Sequence, residues 1–166
     1  MERLFNVMYY FIFSFDYNAH LLFNRINPFV LIHKNPIIKK FDQKNGVNNF
    51  EKEVNKAFKD PNNGLSSLRS WGIIHLIVFL FCFALTNIFT FFHPILLNFY
   101  YFSSFMGISL IINYLLIFRN KKYLVYFKEF KRWPKNKKMK IGWWCFIIIV
   151  GVFFFFIGSF HFSSFK

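Results

Sequence analysis

The stretch WGIIHLIVFLFCFALTNIFTFF, residues 71–92, contains no Asp, Glu, Lys or Arg, and the same is true of everything from Trp71 through Phe118. About 20 apolar residues in a row let one helix cross the hydrocarbon core of a bilayer. This run is long enough to cross twice. A second charge-free run, Ile141 to Phe165, is long enough to cross once. Three transmembrane helices are therefore expected, at about 71–92, 95–118 and 141–162. His93-Pro94 divides the first two, because proline lacks an amide hydrogen and clashes with the preceding turn. The first hairpin should be tight and carry no formal charge.

Composition agrees with a lipid environment. The 166-residue chain is 55% hydrophobic and holds 29 Phe, more apolar side chain than the remaining polar residues could cover in a soluble domain of this size. Phe, Ile, Lys and Asn are all encoded by AT-rich codons, so genome composition explains the abundance of Phe without a special aromatic role. Cys82 and Cys145 both fall inside expected spans, where a thiol behaves as a small apolar group; no disulfide framework is implied.

The net charge of +14 has its main source between the spans. Residues 119–140 hold ten Lys or Arg and a single acid, Glu129. Cytoplasmic loops collect such cations. The basic segment is therefore expected on the cytoplasmic side and the His93-Pro94 hairpin outside. Lys52, Lys56, Lys59 and Arg69 precede the first span and place the N-terminal region inside as well. Three spans then leave the C-terminus external. A bacterial cytoplasmic membrane is the expected location.

Residues 1–70 read as an N-terminal, partly helical region, cytoplasmic or interfacial, and residues 71–166 as the membrane domain. Leu4 to Phe15 is too short to span. A fourth span would bury Asp16 or Arg25, each costing about 3 kcal/mol at the bilayer centre. This piece, and Pro28 to Ile32, fit either a helix lying in the interface or one packed on the cytoplasmic ends of the spans. Met1-Glu2-Arg3 followed by an apolar run invites comparison with a signal peptide, but no small-x-small cleavage site follows, and none is expected to be cut. Val47, Phe50, Val54 and Phe58 recur at helical spacing, with Asn48 and Glu51 placed as a capping box. Asp60-Pro61-Asn62-Asn63-Gly64 should end that helix in a turn. It shares Asp-x-Asn-x-Gly with calcium loops but lacks their remaining ligands.

Three constellations could carry function. His75, Cys82 and Thr86 on the first span, with Asn98 and Asn113 on the second, could line a polar path. The plainer alternative is interhelical hydrogen bonding, favoured because no acid joins the stripe. Ser103 and Gly107, and Gly151 and Gly158, are small residues at spacings that allow close helix packing, within the chain or in a homodimer; internal packing is the preferred expectation. Lys121, Lys122, Lys128, Lys131, Arg132, Lys137 and Lys138 could bind an anionic lipid surface, each worth about 1 kcal/mol near the headgroups. Tyr123, Tyr126, Phe127 and Phe130 alternate with these lysines, so the second span should continue as an amphipathic helix along the inner surface. Nucleic acid is not the expected partner, since a membrane accounts for the same residues. No phosphate loop, nucleophile elbow or carboxylate pair occurs. No catalytic residue, metal site or cofactor is expected.

Asn113-Tyr114-Leu115-Leu116-Ile117-Phe118-Arg119-Asn120-Lys121-Lys122-Tyr123, then Phe127-Lys128-Glu129-Phe130-Lys131 and a further apolar segment, resembles small, uncharacterised bacterial multi-span membrane proteins. The resemblance covers the last third of the chain and implies membrane residence. The expected role is that of a non-enzymatic accessory, regulatory or immunity-type partner of another membrane protein, or of a second copy. An oligomeric channel or transporter subunit using the polar stripe is the alternative.

Overall fold

The computed structural model describes residues 1–92 and 99–164. Every element among them is helical: α1 (Glu2–Asn24), α2 (Pro28–Ile32), α3 (Pro36–Lys44), α4 (Phe50–Lys59), α5 (Leu65–Phe92), α6 (Phe99–Asn113), α7 (Lys122–Lys131) and α8 (Lys135–Ser164). A π turn, Tyr114–Phe118, and a 3-10 turn, Arg119–Lys121, connect α6 to α7. The segments Leu65–Thr90, Phe99–Lys131 and Lys135–His161 are long and apolar enough to cross a membrane. The expected hairpin at His93-Pro94, the first residues of the second span and Asn98 lie outside the described residues.

The helices overrun the charge-free stretches at their polar ends. α5 starts at Leu65 rather than Trp71, and α8 at Lys135 rather than Ile141. Absence of charge marks where hydrocarbon can be tolerated; backbone hydrogen bonding continues past that limit into water. The chain forms two compact units, Met1–Phe11 with Trp71–Lys166, and Ile12–Ser70. Met1–Phe11 thus folds with the long helices rather than with the rest of the first seventy residues.

In the first unit, contact registers give the topology. Phe79 and Phe83 of α5 meet Phe102 of α6, and His75 meets Ser109, so rising numbers on α5 face falling numbers on α6. These two helices are antiparallel. Phe81 meets Phe155, Phe83 meets Phe156, and Asn87 meets Ser159, so α5 and α8 run parallel. Phe83 touches rings from both partners, including Phe105 and Phe160, and is the centre of the aromatic packing. Little else is covered: only 6% of the apolar window of α8 is buried within the chain. Phe146, Ile147, Phe153 and Phe154 all face outward.

The start of α1 packs against α7 and the turns before it. Tyr9 is fully buried, with ring centroids 5.6 Å from Phe118, 5.8 Å from Tyr123 and 5.4 Å from Phe127. Tyr10 lies 5.2 Å from Phe127 and 5.5 Å from Phe130. Phe11 reaches α8 at Gly142, where an added Cβ would sit 3.1 Å from the Phe11 ring. Of the two placements open for Leu4 to Phe15, the structure selects packing on helices for this part of the segment. The tyrosines are core residues.

The second unit is small and rich in polar side-chain pairs. α4 presents Phe50, Val54 and Phe58 on one half-buried edge, as their spacing predicts. His33 stacks on Phe50 at 3.7 Å and His20 on Phe58 at 3.6 Å. His33 Nδ1 lies 2.6 Å from Asp42 Oδ2. Asn24 donates to Asn55 Oδ1 at 2.8 Å, and His20 Nε2 lies 3.0 Å from the same oxygen. Arg69 pairs with Asp16 at 3.3 Å and lies over the Phe58 ring. The α4 cap is one residue later than the capping box expected at Asn48: Asn49 Oδ1 accepts the Lys52 amide. Asp60 makes the expected turn by accepting the Asn62 amide on its carboxylate. Gly64 is required there, because a Cβ would fall 2.2 Å from the Asp60 carbonyl oxygen.

Candidate functional site

The polar groups of the long helices are placed by hydrogen bonds that hold helices together. His75 Nδ1 and Ser109 Oγ are 2.7 Å apart and join α5 to α6. Ser109 also donates to the Met106 carbonyl at 3.0 Å. With its one proton there, Ser109 accepts from His75, which fixes the proton on Nδ1. Asn87 Nδ2 donates to Ser159 Oγ at 3.0 Å and joins α5 to α8; both side chains are buried. Thr86 donates back to the Cys82 carbonyl at 3.0 Å, and Ser103 to Phe99 at 3.0 Å. His75 therefore spends Nδ1 on helix pairing, and Thr86 its hydroxyl on its own backbone. Asn113 behaves differently. It is fully buried at the start of the π turn, and neither atom of its amide has a hydrogen-bond partner among the described residues.

The glycines do not share one job. At Gly107, Gly151 and Gly158 an added Cβ meets nothing within 4 Å among the described residues. A close helix-to-helix approach on a glycine occurs at Gly142, against Phe11. Gly151 and Gly158, seven residues apart on α8, leave an open strip on an apolar helix.

The basic segment is more organised than a surface helix. The second span does not run on into α7. The Arg119 amide bonds the Tyr114 carbonyl in the π turn, and Asn120 and Lys121 then adopt left-handed backbone, φ 58° and 53°. Asn tolerates that region; Lys121 pays roughly 1–2 kcal/mol for it. The last carbonyls of the span need hydrogen-bond donors. Asn6 supplies one partner, donating Nδ2 to the Leu116 carbonyl at 2.8 Å, and is itself fully buried. After the break, α7 turns Tyr123, Phe127 and Phe130 onto α1, so the apolar face expected on lipid is covered by protein.

Two ion pairs close this contact. Glu2 Oε2 accepts from Lys122 Nζ at 2.6 Å, and Arg3 reaches Glu129 at 2.6 Å. The hydrogen bond from Lys122, aided by one from Tyr126 and against a desolvation cost, holds the Glu2 carboxyl below its ordinary 4.5. Lys138 donates to the Lys131 carbonyl at 2.9 Å, and the Lys137 ammonium lies 4.4 Å over the Trp133 ring. Lys121, Lys128, Lys131 and Arg132 remain exposed at the surface. Lys122 is thus a structural cation, distinct from the others in the expected lipid-binding set.

Sequence reasoning missed Asn6, Glu2, Arg3 and Gly142. A polar Asn inside an aromatic run was the available signal for the first. Among the described residues no three His, Cys, Asp or Glu side chains converge as a metal site would need. His161 is exposed, and His93 lies outside the described residues. No protein family matches this chain, and no curated protein or solved structure is significantly similar to it. Its likeness to multi-span proteins rests on its own pattern of span, basic helix and span.

Proposed function

We propose that this is a small, non-enzymatic integral membrane protein that acts as an accessory, regulatory or immunity-type partner of another membrane protein. The observation carrying this reading is the open strip at Gly151 and Gly158. In lipid no hydrophobic drive brings helices together, so association depends on small residues that admit a close neighbour. α8 uses one glycine in this way internally, Gly142 with Phe11, and leaves the other two unfilled. A transmembrane helix of a partner fits there. The orientation that accompanies the proposal has α7 and the N-terminus cytoplasmic and the C-terminus external, in a bacterial cytoplasmic membrane. The exposed cations Lys121, Lys128, Lys131 and Arg132 then meet anionic headgroups.

A channel or transporter subunit is the second reading, and the unpartnered Asn113 amide is what favours it. The hydrogen bonds already made by His75 and Thr86 weigh against a continuous path.

The deciding experiment is co-purification from native membranes in mild detergent, with wild type beside Gly158→Leu. A stable companion that is lost in the variant supports the proposal. Protein that purifies alone in both cases refutes it. Flux in reconstituted vesicles that disappears with Asn113→Ala would move the assignment to transport. Extraction by alkaline carbonate, or labelling of an Asn136→Cys variant from outside intact cells, would overturn the membrane placement or its orientation.

A further inference from the structure

α3 is an amphipathic helix whose apolar edge is exposed. Asn35 caps it by accepting the Ile37 amide at 3.0 Å, and Pro36 occupies its first position. None of its residues is buried. At about 100° per residue, Ile37 and Phe41 share one edge bordered on one side by Lys40 and Lys44, while Ile38 and Asp42 point elsewhere. Asp42 is bound by His33, which shows that the Ile38 and Asp42 edge faces its own unit. The Ile37 and Phe41 edge faces away, with exposures of 77% and 66%. The preceding segment repeats this: Ile26 is 72% exposed and Phe29 70%, while Val30 between α2's outward residues is buried.

Proteins seldom leave so many large apolar side chains in water. The charges around them identify what covers them. From Tyr17 to Phe50 the chain holds five cations, Arg25, Lys34, Lys39, Lys40 and Lys44, and one acid, Asp42, already engaged by His33. An apolar edge rimmed by lysine fits the boundary between anionic headgroups and acyl chains. A protein groove would need carboxylates around it instead. The unit is also tethered there: Ser70, its last residue, is followed directly by the charge-free run from Trp71.

We propose that Ile26, Phe29, Ile37 and Phe41 form an in-plane lipid anchor, with α3 lying in the anionic leaflet. The interfacial element expected among the first forty residues is then this edge, whereas Tyr9 and Tyr10 are core. The proposal rests on the chain being an integral membrane protein, so its test must separate the two.

The test uses the full chain with Cys82→Ser and Cys145→Ala, reconstituted into phosphatidylcholine vesicles with or without phosphatidylglycerol. Single cysteines at Ile37, Phe41, Gln43 and Leu85 carry an environment-sensitive fluorophore, and doxyl-labelled lipid is the quencher. Labels at Ile37→Cys and Phe41→Cys should be quenched in the anionic vesicles, and this quenching should be lost in phosphatidylcholine alone. The label at Gln43→Cys should stay accessible to iodide. Leu85→Cys, on an outward position of α5, reports the spans in both lipids. If Leu85 is quenched while Ile37 and Phe41 remain in water, the anchor is wrong and the integral reading stands. If Leu85 is not quenched, both fall. Hydrogen exchange on the unmodified chain removes any doubt from the cysteine changes: α3 amides must exchange several-fold more slowly in anionic vesicles, and equal rates in both lipids overturn the proposal.

Discussion

Tyr9→Ala probes the contact that turns the basic segment into part of the fold. The side chain is completely buried and its ring meets Phe118, Tyr123 and Phe127 at 5.4–5.8 Å. Truncating a buried aromatic costs about 3–5 kcal/mol, from lost transfer energy and the cavity left behind. Because α1 and α7 form one contact region, the loss should appear as local opening there, with the long helices still packed. At tenfold per 1.4 kcal/mol, the open population rises roughly 10²- to 4 × 10³-fold. Trypsin reports it directly, since Lys122, Lys128 and Lys131 lie on α7. When reclosing is faster than cleavage, the cutting rate follows the open population. Leu4→Ala is the control: Leu4 is on the same helix but exposed, and its loss should cost no more than about 0.5 kcal/mol. Equal cleavage rates for the two variants would mean that α1 does not rest on α7, and that its aromatic face lies in lipid.

The Glu2 carboxyl, depressed below 4.5 mainly by its bond to Lys122, should make the same contact acid-labile. Its contribution is complete above the ordinary value and disappears as pH falls through the lower folded one. Trypsin is inactive there, so hydrogen exchange of α7 between pH 3 and 6 is the measurement; Glu2→Gln should flatten the acid-side change, and an unchanged profile rejects the pair. For the buried bond between Asn87 and Ser159, a double-mutant cycle with Asn87→Ala and Ser159→Ala should give a coupling of about 0.6 kcal/mol in micelle unfolding. A coupling of zero would undo the parallel register of α5 and α8. Gly142→Leu should destabilise by about 1–3 kcal/mol, because the Phe11 ring already fills the space a side chain needs. Gly151→Leu should leave the thermal midpoint of the isolated chain within error.

The three long helices were legible because solvent decides them. Leaving Asp, Glu, Lys and Arg out of residues 71–118 and 141–165 is a requirement of hydrocarbon, and it can be read residue by residue. Helix ends were less legible: α5 begins at Leu65 and α8 at Lys135, outside the charge-free runs, where absence of charge has nothing to say. The candidate sites divide the same way. His75, Asn87 and Thr86 are conspicuous as polar residues in an apolar run, yet their spacing does not reveal that Ser109 and Ser159 wait opposite the first two. Gly151 and Gly142 look alike in sequence. Only the position of Phe11, more than a hundred residues earlier, separates a filled glycine from an open one.

The face of α7 was the least legible element, and the reason is chemical. Tyr123, Phe127 and Phe130 form an apolar stripe that lipid tails and aromatic rings satisfy equally well, so periodicity alone cannot name the partner. Charge can. A helix lying on an anionic leaflet needs cations on its polar flank and has no use for a carboxylate. α7 carries Glu129, and α1 opens with Glu2 beside Arg3. Lys122 and Glu129 are two turns apart on α7 and present opposite signs at its two ends. Glu2 and Arg3 answer with the complementary signs, and the structure pairs them as Glu2 with Lys122 and Arg3 with Glu129. Exposed pairs of this kind add little energy. Their value is in register: they exclude the arrangement in which α1 slides or reverses along α7, while Tyr9 and Tyr10 supply the burial. The lone acid in a basic segment is therefore the sequence signal for a protein partner.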